Sequence, residues 1–215
     1  MKTKLFRDKD GQVKKMLSYV EGISYRESPL DFFILLARYK FAARLIKKTD
    51  KVLDAGCGHG HGTVFLSKFA KEVVGADQDG ELVASNAEDY ADIKKIRFTQ
   101  LDLLDVSRHK QKYDAVVSMD VIEHFTQEQT VTVAQNYSRL VKKGGFAVIG
   151  TPNKASWDYA SARRKSTHIH EFAPEEFETL LSRYFTRVFL FSMTDEVASL
   201  SFPKMAWYLM AICTK

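Results

Sequence analysis

Residues 52–63, VLDAGCGHGHGT, decide the fold of this chain. Two β-forming residues, Val52 and Leu53, precede glycines at positions 56, 58 and 60, and an amphipathic run begins at Thr63. This order predicts a strand, a tight turn and the start of a helix. Glycine lets the backbone take unusual dihedral angles and approach a ligand closely, and a helix start offers free N–H groups. The stretch therefore predicts a loop that binds a nucleotide-type cofactor.

Length and composition favour one soluble domain over the whole chain, 1–215. The 215 residues are 45% hydrophobic, which is enough for one full α/β core and short for two. Within this domain, residues 1–29 are a polar segment that precedes the first predicted helix, and we expect them to form an N-terminal lid. Residues 153–172 lack a clear period and are expected to form an insertion on the substrate side.

Charge and cysteine content indicate which partners and which cellular compartment are compatible with the chain, but they do not identify a function. The chain has 32 Lys and Arg and 27 Asp and Glu, and this mild basicity is compatible with an anionic substrate or nucleic acid. The two cysteines, Cys57 and Cys213, are far apart, which argues against a disulfide framework and favours a reducing cytoplasm. The N-terminus lacks an apolar signal region, and charged residues interrupt the apolar-rich stretch 30–46, so no membrane span is expected.

Strands and helices alternate along the chain, which predicts a doubly wound, mainly parallel α/β sheet. The helix expected over 127–141 is followed by Lys142-Lys143, which complement its dipole, and by Gly144-Gly145, which are expected to end it. Two strands without a helix between them predict an antiparallel hairpin at the end of the chain. The predicted strands after the first are 72–76, 93–100, 113–119, 146–150, 187–193 and 205–213.

Acidic residues follow the second strand, where nucleotide-binding α/β proteins place an acid that accepts hydrogen bonds from ribose hydroxyls. Asp77 lies about 20 positions beyond the glycine turn, and Gln78 and Asp79 follow it. Either Asp77 or Asp79 is able to cap the next helix instead. We assign the ribose role to Asp77 and the cap to Asp79.

The spacing of the glycines reduces the number of possible nucleotide-type cofactors. The loop reads G-x-G-x-G rather than the dehydrogenase G-x-G-x-x-G, Asp54 stands two residues before its first glycine, and no Gly-Lys-Ser/Thr of a P-loop is present. The ordered motifs VLDAGCGHG, VVGAD at 73–77, Asp102, YDAVVS at 113–118 and LVKKGG at 140–145 resemble those of the class I S-adenosylmethionine-dependent methyltransferases.

That resemblance implies a fold and a set of cofactor contacts. The fold is a Rossmann-like sheet of seven strands in the order 3-2-1-4-5-7-6, with strand 7 antiparallel. S-adenosylmethionine is the implied cofactor. The implied contacts are Gly56, Cys57 and Gly58 with the methionine moiety, Asp77 with the ribose, Asp102 and Leu103 with the adenine, and Met119 in the wall of the pocket. Asp54, Gln78 and Arg38 complete the predicted cofactor site, with Arg38 either on the cofactor carboxylate or facing water.

Within the class, the chain is most similar to small-molecule and glycan-associated O-methyltransferases of the ubiquinone-pathway type. The similarity rests on Arg38-Tyr39, on DVIEH at 120–124, on TPN at 151–153 and on HIHEF at 168–172. Asp120 stands where the family usually has Glu, so the reach of this carboxylate is shorter.

The residues after the fourth strand predict the chemistry at the acceptor. If the chain turns helical there, Asp120, Glu123 and His124 fall on one face, where His124 is a candidate base and all three are candidate catalytic residues. With His168 or His170 they would form a site for a divalent cation such as Mg, Mn or Zn. Alternatively, Glu123 and His124 form a structural hydrogen-bonded pair. The charged run 163–165 is either solvated or holds a phosphate of the acceptor.

The sequence thus predicts an O-methyltransferase of a small-molecule or glycan hydroxyl, on an acceptor that is phosphorylated if the basic run binds it. An RNA 2′-O-methyltransferase is the alternative that a Glu-x-x-Glu-His type motif and the basic charge favour, although no RNA-binding module is recognisable. A non-catalytic cofactor-binding protein of the same fold is the third hypothesis. The motifs do not predict an oligomeric state.

Overall fold

The computed structural model describes residues 29–200 and 202–215. All of the predicted lid segment except Pro29 therefore lies outside the described residues. The helices are α1 (Pro29–Ala43), α2 (His61–Ser67), α3 (Gly80–Asp89), α4 (Gln127–Leu140), α5 (Ala162–Thr167) and α6 (Pro174–Ser182). The strands are β1 (Lys51–Ala55), β2 (Glu72–Asp77), β3 (Ile96–Gln100), β4 (Tyr113–Met119), β5 (Val141–Pro152), β6 (Arg187–Met193), β7 (Ala198–Ser199) and β8 (Tyr208–Thr214).

The strands form one sheet in the order β3-β2-β1-β4-β5-β8-β6-β7. The first five strands pair in parallel, and β8 lies antiparallel between β5 and β6. The predicted doubly wound α/β class is confirmed, and its strand order holds when β8 is counted as the seventh strand. The predicted count of seven is wrong by one, because the chain turns back after β6 and Ala198–Ser199 pairs with its end as a short edge strand.

The start of β5 differs from the prediction. Helix α4 ends at Leu140, and Val141 is already extended and pairs with Tyr113 of β4. The expectation that the glycine pair ends the helix is therefore wrong. Gly144 instead has a φ of 77°, within β5 where the register against β4 shifts, and its position there favours glycine.

The last strand also starts later than predicted. Residues Pro203–Met205 form a 3₁₀ turn, and β8 begins at Tyr208. The irregular segment 153–172 contains a 3₁₀ helix, Lys154–Tyr159, followed by the short helix α5. Both lie at the carboxyl end of β5, which is the edge of a parallel sheet where ligands bind.

Each face of the sheet carries its own core, because successive residues of a strand point to opposite faces. On β1, Val52 belongs to the cluster that packs under α1 and α2, and Leu53 belongs to the cluster under α4 and α6. Both side chains are fully buried. Within the described residues, no helix combines the length and apolar character needed to cross a membrane.

Candidate active site

The glycine loop follows β1 directly and requires glycine at its first position. Gly56 has a φ of 76°, and a Cβ built there would lie 2.3 Å from Cγ2 of Val121. Its backbone N–H donates to the carbonyl of Ala76 at 2.7 Å, which ties the loop to β2. Gly58 has a φ of 51° and open space on the side where a Cβ would point. The backbone is thus exposed to a ligand at Gly58 and fixed at Gly56.

Asp54 is the buried anchor of this loop. Tyr39 of α1 donates to Oδ1 at 3.2 Å, and Thr63 of α2 donates to Oδ2 at 2.7 Å. A Cβ at Gly62 would lie 1.9 Å from the Tyr39 ring, so the absence of a side chain there lets α1 reach the carboxylate. Burial raises the pKa of Asp54 to about 6, although both hydroxyl donors oppose the rise. Asp54 therefore holds α1, β1 and α2 together beneath the loop.

A cavity of about 380 Å³ opens beside the loop, and we call it the donor cavity. Five of the predicted cofactor residues line it, and two of the predicted catalytic residues do so as well. Leu101, Val121 and Phe125 complete its apolar wall and were not predicted. The predicted residues in the lining are Gly56, Gly58, Asp77, Gln78, Leu103, Asp120 and His124.

Asp77 both lines the donor cavity and fixes its shape. Its Oδ2 accepts the Gly58 N–H at 3.0 Å, and its Oδ1 accepts the Asp79 N–H at 3.1 Å. The predicted cap of α3 is confirmed, because Asp79 Oδ1 accepts the N–H groups of Glu81 and Leu82. Removing the Asp77 carboxylate would therefore alter both the ligand contact and the loop.

Other predicted cofactor residues lie outside the lining of the donor cavity. Cys57 and Met119 are buried, and Asp54 is enclosed by its two hydroxyl donors. Asp102 is exposed, and its Oδ1 accepts the N–H of Leu104 at 2.8 Å, so it shapes the turn that places Leu103 in the wall. Arg38 lines a different cavity.

This second cavity, which we call the acceptor cavity, has a volume of about 580 Å³. It lies between α1, the segment 153–172 and the ends of β6 and β8, so the predicted substrate-side segment does contribute to a pocket. Its lining includes Arg38, Arg163, His168, Trp207 and Tyr208. Volumes of several hundred Å³ are typical of small-molecule sites.

The two cavities meet at Asp120 and His124, which line both. Asp120 follows β4 directly and has a φ of 58°, an uncommon conformation for a residue with a side chain. Its carboxylate forms an ion pair with the guanidinium of Arg38, which also lies 3.8 Å above the ring centroid of Tyr208. This group of three connects α1, the end of β4 and β8 at the junction.

The expectation that Asp120, Glu123 and His124 lie on one face of an α-helix is wrong. The chain after β4 forms a 3₁₀ turn, Ile122–His124, rather than an α-helix, and Asp120 precedes it in a left-handed conformation. The carboxylate of Asp120 is therefore directed to Arg38. Within residues 29–200 and 202–215, the group that satisfies metal-ligand spacing consists of Glu123, His124 and His168, whose ligand atoms lie within 4.8 Å of one another.

Glu123 is fully buried at the centre of this group. Its Oε2 accepts from Thr151 Oγ1 at 3.1 Å, and its backbone carbonyl accepts the N–H groups of Ile169 and His170 at 2.9 and 3.0 Å. Among the described residues, Oε1 has no hydrogen-bond partner. Burial, together with the nearby Asp120, raises the pKa of Glu123 well above its ordinary value. The motif thus holds the 168–172 segment against the end of β4.

The hydrogen bonds of the two histidines determine their tautomers. Nδ1 of His124 lies 2.9 Å from the carbonyl oxygen of Thr167, and Nδ1 of His168 lies 2.7 Å from Oε1 of Glu171. Because both oxygens only accept, each neutral ring carries its proton on Nδ1 and a lone pair on Nε2. His170 binds Glu176 instead, at 2.8 Å, so of the two alternatives His168 is the one in the group.

Sequence reasoning missed the buried carboxylate that supports His168. Glu171 accepts from Nε and Nη2 of Arg164 at 2.7 and 2.8 Å, a bidentate ion pair, in addition to His168. Arg164 also donates to the carbonyl of Asn153 and to Ser156 Oγ. The prediction of a solvated run is therefore wrong for Arg164. The His-x-x-Glu spacing within 168–171 was the available signal for this contact.

Comparisons with known proteins show which proteins the sequence and the fold of this chain resemble. Residues 52–145 match a family model described as a methyltransferase domain. A probable S-adenosylmethionine-dependent methyltransferase of Mycolicibacterium smegmatis is 34% identical over 108 residues, which are 49% of this chain and 39% of the relative. The human mitochondrial ubiquinone biosynthesis O-methyltransferase is 30% identical over 148 residues, 61% of this chain and 40% of the relative. The chain thus spans about two fifths of the length of these curated relatives.

The fold is shared with solved structures at lower identity. The small RNA methyltransferase HEN1 superposes with a TM-score of 0.68 and 17% identity, over 85% of this chain and 26% of that one. The family match spans the glycine loop, Asp77 and the 120–124 motif, which contribute residues to the lining of the donor cavity. Residues 52–145 are therefore similar to a methyltransferase domain, and the chain has the fold of the class I S-adenosylmethionine-dependent methyltransferases.

Proposed function

We propose that this protein transfers the methyl group of S-adenosylmethionine to a hydroxyl of a small acceptor molecule. The observation that carries this proposal is the meeting of two cavities at Asp120 and His124. A direct displacement needs the donor and the acceptor in line and in contact. Two cavities that share Asp120 and His124 in their linings support such an arrangement.

The residues of the donor cavity fit the cofactor. Gly58 offers an unobstructed backbone, Asp77 offers a carboxylate at the end of β2, and Leu101 and Leu103 offer an apolar wall for a flat base. When bound there, S-adenosylmethionine supplies a methyl group activated by its sulfonium. We assign the ribose to Asp77 and the adenine to the Leu101–Leu103 wall.

The chain itself supplies a group that takes the acceptor's proton. His124 lines both cavities, and its hydrogen bond to Thr167 leaves a lone pair on Nε2. We assign to Nε2 the acceptance of the hydroxyl proton as the oxygen attacks the methyl carbon. The ring position is fixed by the same hydrogen bond, so the base is oriented before the acceptor arrives.

As an alternative role for the Nε2 lone pair of His124, we propose that Glu123, His124 and His168 hold a divalent cation. In that case His124 binds the ion and does not accept the proton of the acceptor. The donor set of one carboxylate and two imidazoles suits Zn or Mn. Both histidines donate Nδ1–H to an oxygen, an arrangement common among metal-ligating histidines. The structural observation that supports a cation here is the buried Oε1 of Glu123, which has no hydrogen-bond partner among the described residues. A cation there would lower the pKa of the acceptor hydroxyl.

Isothermal titration with S-adenosylhomocysteine tests the donor site. We expect Asp77→Asn to weaken binding by roughly tenfold or more, since a charged hydrogen-bond acceptor is lost. Asp105→Asn, an exposed carboxylate that follows β3 and lies outside the cavity lining, is the control and should leave binding unchanged. Absence of binding to the wild-type protein would refute the proposed function. Tight binding with no product across a panel of hydroxyl acceptors would favour a non-catalytic protein.

The metal proposal is tested separately by titrating Mn²⁺ or Zn²⁺ into the chelator-treated protein without cofactor. We expect one bound ion per chain and loss of that binding in Glu123→Ala. Glu128→Ala, which removes an exposed carboxylate in the first turn of α4, serves as the control. Equal metal binding by wild type and Glu123→Ala would contradict this site and leave the methyltransferase proposal standing.

A second candidate function is methylation of an RNA 2′-hydroxyl. The observation that favours it is the exposed ring pair Tyr159 and Trp207, of which Trp207 lines the acceptor cavity together with the exposed Arg163. Unstacked bases bind such rings, and phosphates bind such cations. Filter binding of a short single-stranded RNA at increasing salt tests it. Affinity that does not fall with salt, or no binding at all, would exclude this candidate.

A further inference from the structure

We infer that the acceptor is a planar ring compound that carries an anionic group, bound by Trp207 and Tyr159 through its ring and by Arg163 through its charge. This inference rests on the proposed function, because it names the class of molecule that enters the acceptor cavity. It adds a recognition site at the rim of the cavity, away from the proposed methyl-transfer junction.

The first observation is an exposed aromatic pair. The Tyr159 and Trp207 rings lie 6.1 Å apart between centroids with an angle of 36° between their planes. Tyr159 is 77% exposed and Trp207 is 51% exposed, although Trp207 also lines the acceptor cavity. Large aromatic side chains at a cavity mouth offer broad, flat contact area that a ring of the ligand is able to cover.

The second observation is that the backbone beneath Trp207 is held rigidly. Its carbonyl accepts from Asn153 N at 2.9 Å and from Ser156 Oγ at 3.2 Å, and its N–H donates to the Met193 carbonyl at 3.1 Å. The fully buried Asn153 also donates its side-chain amide to the carbonyls of Pro203 and Ala206, both at 2.8 Å. A platform fixed in this way loses little entropy when a ring stacks on it.

The third observation is the contrast between two adjacent arginines. Arg164 is committed to Glu171, Asn153 and Ser156. Arg163 is exposed and lines the acceptor cavity, and it forms no ion pair within residues 29–200 and 202–215. An unpaired guanidinium at a cavity rim suits a carboxylate or a phosphate, which it binds through two parallel hydrogen bonds.

The other charged residues of the acceptor cavity indicate where the anionic group of the ligand would bind. Arg38 is neutralised by Asp120. Asp31 of α1 and Asp195 after β6 bring negative charge to the parts of the rim that those elements form. The anionic group is therefore expected on the α5 side, beside Arg163 and Ser161, while the ring covers Trp207. The acceptor hydroxyl then points inward to His124.

Five ligands are used as probes. They distinguish the contribution of a planar ring to binding from that of a charge, and a preference for a carboxylate from one for a phosphate. The planar anions are 3,4-dihydroxybenzoate and AMP, and their non-planar counterparts are quinate and glucose 6-phosphate. Catechol is planar and uncharged. The chain has two tryptophans, so Trp157→Phe leaves Trp207 as the sole tryptophan reporter. We expect at least one planar anion to quench its fluorescence and to bind about tenfold more tightly than catechol and its own non-planar counterpart.

Variants then assign the contacts. Arg163→Gln should weaken the bound planar anion by about tenfold and leave catechol unchanged, whereas Lys165→Gln, an exposed neighbour outside the cavity lining, should change neither. Trp207→Ala, measured by calorimetry because the reporter is lost, should weaken the binding of both ligands by about tenfold. Phe202→Ala, an exposed aromatic control outside the cavity lining, should weaken the binding of neither.

Several results would overturn the inference. These are the absence of quenching by any planar anion at millimolar concentration, equal binding of planar and non-planar anions, or equal losses in Arg163→Gln and Lys165→Gln. All of these titrations are done without cofactor. If S-adenosylhomocysteine still binds while the probes fail, the inference fails and the proposed function stands. If the probes bind and S-adenosylhomocysteine does not, the proposed function fails.

Discussion

Replacing Asp54 with Asn should change how the stability of the protein depends on pH. The Asp54 carboxyl is fully buried, and its pKa in the folded protein is about 6, against an ordinary value of 3.8. Since each pKa unit corresponds to about 1.4 kcal/mol, ionising Asp54 costs the folded state about 3 kcal/mol relative to the unfolded chain. Asn has nearly the same shape and carries no charge to desolvate.

The sign follows from proton binding. Between the two pKa values the folded protein holds a proton that the unfolded chain has released, so the stability of the wild type falls as pH rises through this window. The contribution of Asp54 is fully present below pH 3.8 and lost above about pH 6. Between about pH 4.5 and pH 8, wild type should lose about 2 kcal/mol relative to Asp54→Asn. Any pH-independent cost of rearranging the Tyr39 and Thr63 hydrogen bonds cancels in this comparison.

Urea unfolding followed by circular dichroism at constant ionic strength measures this difference. Asp105→Asn provides a control of opposite sign, because the side-chain and backbone hydrogen bonds of Ser107 lower the pKa of the exposed Asp105. That contribution is present above the unfolded pKa and lost as pH falls. A stability difference between wild type and Asp54→Asn that stays constant over the whole pH range would refute the reasoning.

Three further predictions follow from single contacts. Gly56→Ala places a Cβ 2.3 Å from Val121 at a positive φ, so calorimetry should show at least about tenfold weaker S-adenosylhomocysteine binding, and unchanged affinity would contradict this. Thr126→Ala removes the capping box of α4 and should lower the free energy of unfolding by about 1 kcal/mol in urea, whereas no change would show that the cap is dispensable. Glu171→Gln leaves the half-buried Arg164 charge without its buried carboxylate partner and should cost about 3 kcal/mol in the same assay, and a loss below about 1 kcal/mol would argue against a desolvated pair.

Local sequence signals predicted the fold well because the parallel strands are buried on both faces. Nearly continuous apolar runs such as β4 have few alternatives to a central strand. The glycine loop and Asp79 were equally predictable, since a positive φ and a helix N-terminus each favour few residue types. The boundaries of β5 were not predictable in this way, because the residues that continue the strand, Lys142 to Gly145, are ones that also end helices.

Local sequence patterns did not predict which polar side chains of the candidate site pair with each other. The 120–124 motif allowed an α-helical face with three ligands, and the partner that redirects Asp120 is Arg38, 82 residues earlier in the chain. Likewise, nothing in the order of residues 163–165 distinguishes the half-buried Arg164 from the exposed Arg163. The distinction depends on Glu171, which the packing of the 168–172 segment against Glu123 brings into reach.

The sequence alone thus determined the sheet, the glycine loop and the acid at the end of β2, because each depends on backbone conformation and burial that neighbouring residues specify. Only the tertiary structure decided that two cavities meet at Asp120 and His124, that His168 rather than His170 joins Glu123, and that Trp207 and Arg163 line the same acceptor cavity. These contacts join segments far apart in the chain. Their partners are selected by the packing of α1, β8 and the 153–172 segment around the carboxyl ends of the strands, which no local pattern encodes.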